Sequence, residues 1–85
     1  MLEIDFHSDS RNYILRIEKK VRLRVLGKIA ELETLNHPLE HAQVIKLSGR
    51  KSDDYRLRIG DYRVKFTLRH GVILITDIDH RQAGY

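Results

Sequence analysis

The sequence predicts an α+β fold: a mainly antiparallel, twisted sheet, built from an N-terminal strand and a C-terminal meander, with a helical segment packed on one face. Three observations carry this expectation. Residues 1–6 alternate, with Leu2, Ile4 and Phe6 on one side and Glu3 and Asp5 on the other, the period of a half-buried strand. From Tyr13 to Leu35 apolar residues recur at helical spacing, through Ile17, Val21, Val25, Ile29 and Leu32, with basic side chains filling the opposite face. Beyond Pro38 the period falls to two, in runs separated by short turn-forming pairs.

Each element has a local reason. Ser8, Asp9 and Ser10 offer side-chain N-caps for the helical segment. One helix over the whole span would be long for 85 residues; a bend around Glu18–Lys20 would divide it in two, although no glycine or proline marks the place. Asn36, His37 and Pro38 end it, because the residue before a proline is steered away from the α region. Gly27, inside the helical pattern, is expected to mark a close packing contact. Val44, Ile45 and Leu47 read as a strand ending at Ser48–Gly49, followed by a polar loop over residues 50–54. Tyr55–Ile59, Tyr62–Leu68 and Val72–Ile78 read as three further strands joined at Gly60–Asp61 and His70–Gly71.

Composition narrows the class. The hydrophobic fraction of 41% is ordinary for a folded chain. With no cysteine there is neither a disulfide framework nor a thiolate metal site, so apolar burial must hold the fold. The longest apolar run is Val72–Ile75, too short for a membrane span or a secretory signal. The expectation is one soluble, cytoplasmic domain over residues 1–85. The net charge of +4 is unevenly placed: residues 1–42 hold seven basic and seven acidic residues, residues 43–85 nine basic and five acidic. Such asymmetry suits a polyanionic partner, nucleic acid first and an acidic protein second. A solvated basic surface accounts for the charge alone equally well.

The hairpin over residues 55–66 goes further. A two-residue turn at Gly60–Asp61 sets Ile59 opposite Tyr62, Arg58 opposite Arg63, Leu57 opposite Val64, Arg56 opposite Lys65 and Tyr55 opposite Phe66. Alternation then sends Tyr55, Leu57, Ile59, Tyr62, Val64 and Phe66 to a core face and Arg56, Arg58, Arg63 and Lys65 to the other. Like charges directly opposed on a sheet are destabilising by a few tenths of a kcal/mol or more per pair, about 0.2–1. Two such pairs beside a wholly apolar face indicate an anion site, in which guanidinium forks grip phosphate oxygens. The last strand should pair with Tyr62–Leu68, bringing His80, Arg81 and Tyr85 to one end of the sheet. There a histidine that titrates near neutrality, another cation and a ring able to stack on a base join the group.

Other residues carry less. His37 and His41 have a four-residue spacing interrupted by Pro38 and no third ligand nearby, so they read as loop residues and no metal is expected. Asp77 and Asp79 are expected to orient His80 or to meet a helix cation. His7 and His70 read as surface positions.

The sequence resembles the RelE/ParE superfamily of toxins from type II toxin–antitoxin systems. The resemblance lies in Lys46-Leu47-Ser48-Gly49, in Tyr55-Arg56-Leu57-Arg58-Ile59-Gly60-Asp61-Tyr62-Arg63-Val64, and in Asp79-His80-Arg81 followed by Tyr85. It implies a RelE-like domain whose helical segment is a hairpin turning near Lys19–Lys20. In the RelE branch it implies an endoribonuclease that cuts mRNA in the ribosomal A site and needs no cofactor: the ribose 2′-OH attacks the neighbouring phosphate, leaving a 2′,3′-cyclic phosphate and a free 5′-OH. Arg56, Arg58 and Lys65 would bind RNA, Arg63 and Arg81 would hold the scissile phosphate, and Tyr85 would stack on or orient the base. Arginine stands at Arg56 and Arg58 where the family often has lysine. Arginine stays protonated and cannot serve as a general base, so proton transfer falls to His80 and Tyr85, with Lys65 a distant third. A cognate antitoxin is the implied protein partner. Inhibition of DNA gyrase, as in the ParE branch, and RNA binding without cleavage are the competing functions.

Overall fold

The computed structural model describes residues 1–47 and 53–81. Strand β1 (Glu3–Phe6) leads into helices α1 (Ser8–Arg16) and α2 (Lys19–Glu31). Two short 3-10 turns follow at Leu32–Thr34 and Pro38–Glu40, then strands β2 (Val44–Lys46), β3 (Asp54–Ile59), β4 (Tyr62–Arg69) and β5 (Val72–His80). The sheet order is β1-β5-β4-β3-β2, with β1 parallel to β5 and every other pairing antiparallel. The expected mainly antiparallel α+β architecture is therefore observed, with the N-terminal strand adding one parallel edge. The expected end of β2 at Ser48–Gly49 and the loop that follows lie outside the described residues.

The helical segment is a pair. Ile17 and Glu18 are both extended, with ψ of 162° and 139°, and the Ile17 N–H closes α1 onto the Tyr13 carbonyl. Ile17 packs against the core, so tertiary burial fixes the bend at a place where the sequence carries no breaker. The turn falls just before Lys19–Lys20, and α2 opens with those two lysines and no acid in its first turn, against the preference of the helix dipole.

At the start of α1 the cap is His7, whose Nδ1 accepts from the Asp9 N–H at 3.2 Å. Ser10, expected among the caps, is 1% exposed and does something else. Its hydroxyl lies 2.8 Å from the carbonyl oxygens of both His7 and Ile75, pinning α1 to β5. His37 and His41 are caps too. His37 Nδ1 accepts from the Leu39 N–H in a capping box completed by Glu40, and His41 bonds Glu31 Oε1 through Nε2 at 2.9 Å while Nδ1 accepts from the Gln43 N–H. The hydrogen bond from His41, with Lys28 nearby, holds the Glu31 carboxyl below the usual range.

The core lies between the helices and one sheet face. Val25, Ile29 and Leu32 descend from the helical side onto Leu57, Val64, Phe66, Ile73 and Ile75, all 2% exposed or less, with Ile14 and Ile78 closing the ends. Each such side chain contributes about 1.5–3 kcal/mol of burial free energy. Gly27 departs from expectation: it is exposed, and a β-carbon built there would meet nothing within 4 Å. No close contact requires it, so its effect is the entropic cost of glycine in a helix. Gly27→Ala should raise stability by about 0.5–1 kcal/mol in urea or thermal unfolding.

Candidate nucleic-acid interface

The hairpin register is the one expected from the turn. Ile59 pairs with Tyr62, Arg58 with Arg63, Leu57 with Val64, Arg56 with Lys65 and Tyr55 with Phe66. Gly60 has φ of +58°, a conformation glycine adopts without the steric penalty of a β-carbon. With positive φ only at the first central residue, the turn follows the II′ pattern that matches strand twist. The apolar members are buried or half-buried against the helices. On the other face Arg58 and Lys65 are exposed, and Arg56 and Arg63 half-buried.

Strand β5 supplies what the hairpin alone does not show. Lys65 pairs with Asp77 but Phe66 pairs with Ile75, which leaves Thr76 as a bulge; its hydroxyl donates to the Lys65 carbonyl at 3.2 Å. Before the bulge Ile73 and Ile75 face the core, and after it Ile78 does so. The bulge therefore reverses the parity of the strand, as extra residues do, and turns Asp77 and Asp79 onto the cationic face. Asp79 stands opposite Arg63, and Arg63 Nε donates to Asp79 Oδ1 at 2.8 Å. This corrects the expectation that Asp79 serves His80 or a helix cation: its partner is a sheet arginine. Asp77 is registered opposite Lys65.

Arg56, Arg58, Arg63 and Arg81 line one shallow cavity of about 240 Å³, with Gly60 and Asp61 at its rim. Arg58 Nε donates to the Gly60 carbonyl at 3.3 Å. The Arg81 N–H donates to the Asp61 carbonyl at 2.6 Å, which ties the end of β5 to the hairpin turn. Four arginines, two from β3, one from β4 and one just past the end of β5, thus converge on a space suited to a phosphate group.

Two predicted members stand elsewhere. Lys65 shares the sheet face but borders a separate hollow with Leu47, Asp54 and Thr76, while Arg56, directly opposite it, lines the cavity. His80 lies at the expected end of the sheet but on the opposite face. It pairs with Tyr62, and the two rings meet edge to face with centroids 4.6 Å apart. Alternation forces this, since Asp79 and Arg81 take the cationic side. Nearby, burial first, then the charges of Tyr62, Asp79 and Asp77, raise the Tyr13 hydroxyl above its usual range. Tyr85 lies outside the described residues.

Arg24 of α2 reaches the hairpin turn without any sequence signal, outside the lining of the cavity. Its guanidinium sits against the hairpin turn, so that a β-carbon at Gly60 would lie 2.5 Å from Nη2. With Lys20 and Lys28 it forms a row at four-residue spacing along the helix, in which Lys28 meets Glu31 at 3.5 Å. Like charges so spaced repel by a few tenths of a kcal/mol, about 0.2–0.5.

Neither a protein-family model nor a curated protein sequence matches the chain. Among solved structures it is similar to the archaeal RelE–RelB complex from Pyrococcus horikoshii OT3, with 31% identity, coverage of 94% of each chain and a TM-score of 0.77. The RelB–RelE antitoxin–toxin complex from Methanococcus jannaschii matches at 21% identity over 95% of this chain and 94% of that one, with a TM-score of 0.76. The intact E. coli RelBE complex matches at 17% identity, 94% and 96% coverage and a TM-score of 0.76. The last two likenesses concern the fold.

Gly60→Ala should destabilise the protein by about 1–2 kcal/mol, the cost of a β-carbon at positive φ. Adding Arg24→Ala should recover little of that loss in unfolding experiments, because the arginine tip can move aside while the backbone strain stays.

Proposed function

This chain belongs to the RelE-like toxin superfamily, and on that premise we propose that it is the toxin of a type II toxin–antitoxin pair, an endoribonuclease that cuts mRNA bound in the ribosomal A site. The observation that carries the reading is the convergence of Arg56, Arg58, Arg63 and Arg81 on one cavity. Cleavage by 2′-OH attack spreads negative charge over the phosphate in the transition state. Guanidinium groups fixed around that phosphate stabilise the charge as it develops, and such electrostatic stabilisation usually dominates the rate enhancement. Arg63 and Arg81 then act on the scissile phosphate, and Arg56 and Arg58 bind the RNA beside it. Lys65, displaced from the cavity, serves the flanking backbone. Tyr85 keeps its proposed role of stacking or proton transfer, while His80, turned towards Tyr62, acts only by holding the strand end that carries Arg81.

A cognate antitoxin is the protein partner in this reading. Its acidic or amphipathic segment would cover the cationic face and the helices. Leu15 of α1 and Leu23 of α2, 61% and 60% exposed, supply apolar anchors there, and the Lys20–Arg24–Lys28 row supplies charge.

One observation favours a second reading, RNA binding without cutting: among the described residues, the side chains of the cavity are arginines and Asp61, and arginine stays protonated and cannot serve as a general base. Inhibition of DNA gyrase draws no support from the arginine cavity.

A translation extract with a defined mRNA separates the three. Cleavage at codon positions, reduced on the order of 10²–10³-fold by Arg63→Ala or Arg81→Ala, is expected; intact mRNA with tight RNA binding selects the second reading, and intact mRNA with blocked supercoiling selects gyrase. Antitoxin affinity should fall as salt is raised from about 0.05 to 0.5 M; affinity independent of salt would remove the cationic face from that interface.

A further inference from the structure

We propose that Asp79 is a positioning residue of the RNA-cleaving site, fixing the Arg63 guanidinium against the scissile phosphate; the inference rests on the endoribonuclease reading above. Asp79 stands between the two arginines assigned to that phosphate, across the strand pair from Arg63 and two residues before Arg81 on the same face. A carboxylate there weakens the attraction of the site for a polyanion. A surface shaped only for affinity would do better without it.

What Asp79 supplies is geometry. Its Oδ1 takes one hydrogen bond, from Arg63 Nε at 2.8 Å, and both side chains are only about one-third exposed, at 34% and 35%. That single bond occupies the stem side of the guanidinium and leaves Nη1 and Nη2 for a ligand in the cavity that Arg63 lines. It also opposes the repulsion from Arg58, which faces Arg63 directly across the hairpin and would otherwise drive the fork away. The bulge at Thr76 is the local device that brings Asp79 to this face, and bulges commonly re-aim side chains beside active sites.

The test uses the full chain and two substitutions, Asp79→Ala and Asp79→Asn, since asparagine keeps an oxygen that can accept from Nε but loses the charge. Single-turnover cleavage of ribosome-bound mRNA gives the rate. Affinity is read with an RNA oligonucleotide carrying a 2′-deoxy nucleotide at the cleavage position. Asp79→Ala should lower the saturated rate on the order of 100-fold, the scale of a misplaced reacting geometry, with affinity unchanged or tighter. Asp79→Asn should restore the rate to within about tenfold of the native chain and bind RNA more tightly. A native rate in Asp79→Ala, or loss of rate and affinity in step in both variants, overturns the proposal. Should the native chain leave mRNA intact, the enzyme reading fails separately. Whether Asp79 fixes the Arg63 guanidinium is then decided by the Arg63 Nε–H resonance in ¹⁵N NMR: protection from exchange in the native chain and Asp79→Asn but not in Asp79→Ala supports the fixing, and equal exchange in all three overturns it.

Discussion

A strand can serve two faces only by strict alternation, and β5 has to serve them while changing step. Ile73 and Ile75 belong to the core, and so does Ile78, three residues later. No regular strand places all three on one side. The bulge at Thr76 resolves the conflict by leaving one residue outside the ladder, and the Thr76 hydroxyl bonds the Lys65 carbonyl across the gap. Everything C-terminal to it inherits the new parity: Ile78 turns inward, Asp77 and Asp79 turn outward, and Arg81 follows them to the cavity. In an unbroken strand Asp77 and Asp79 would enter the apolar side, where an unpaired carboxylate costs several kcal/mol (order of magnitude) or must be neutralised.

That same change of step alters the electrostatics of the sheet. Considered as a hairpin, β3 and β4 set two cation pairs in opposition with nothing between them. With β5 in place, each pair is extended by an acid, giving the rows Arg58–Arg63–Asp79 and Arg56–Lys65–Asp77. Repulsion is relieved on the β4 side, while Arg56 and Arg58 on the β3 side remain directed at the cavity. The result is a site that stays cationic but in which Arg63 is held by an acid at 2.8 Å. Preorganised charge of this kind stabilises a developing anion without having to reorganise during the reaction.

The helices position the site from behind. α1 is fastened to β5 by the buried Ser10 hydroxyl at Ile75, next to the bulge, and α2 brings Arg24 up to the Gly60 turn. The turn is thus held by Arg58 Nε on the Gly60 carbonyl and by the Arg81 N–H on the Asp61 carbonyl, with the Arg24 tip lying against it. Tyr62 and His80 pack edge to face on the inner side of the same corner, so the histidine ring lies across the sheet from the arginine cavity.

What could be read from the chain alone is what short-range rules govern. The two-residue turn at Gly60–Asp61 fixed the whole β3–β4 register, and with it the shared face of Arg56, Arg58, Arg63 and Lys65, because side chains alternate without exception in a regular hairpin. The change of period at Pro38 separated helices from strands for the same local reason. The division at Ile17–Glu18, the exposure of Gly27, the bulge at Thr76, the partner of Asp79 and the arrival of Arg24 belong to the tertiary structure. Each depends on which distant surface a residue meets once the core closes: Ile17 turns the chain because it packs there, and Asp79 meets Arg63 because three isoleucines must share one side of β5. Local spacing carries no record of those contacts, so the cationic face was written in the sequence and the acid that organises it was not.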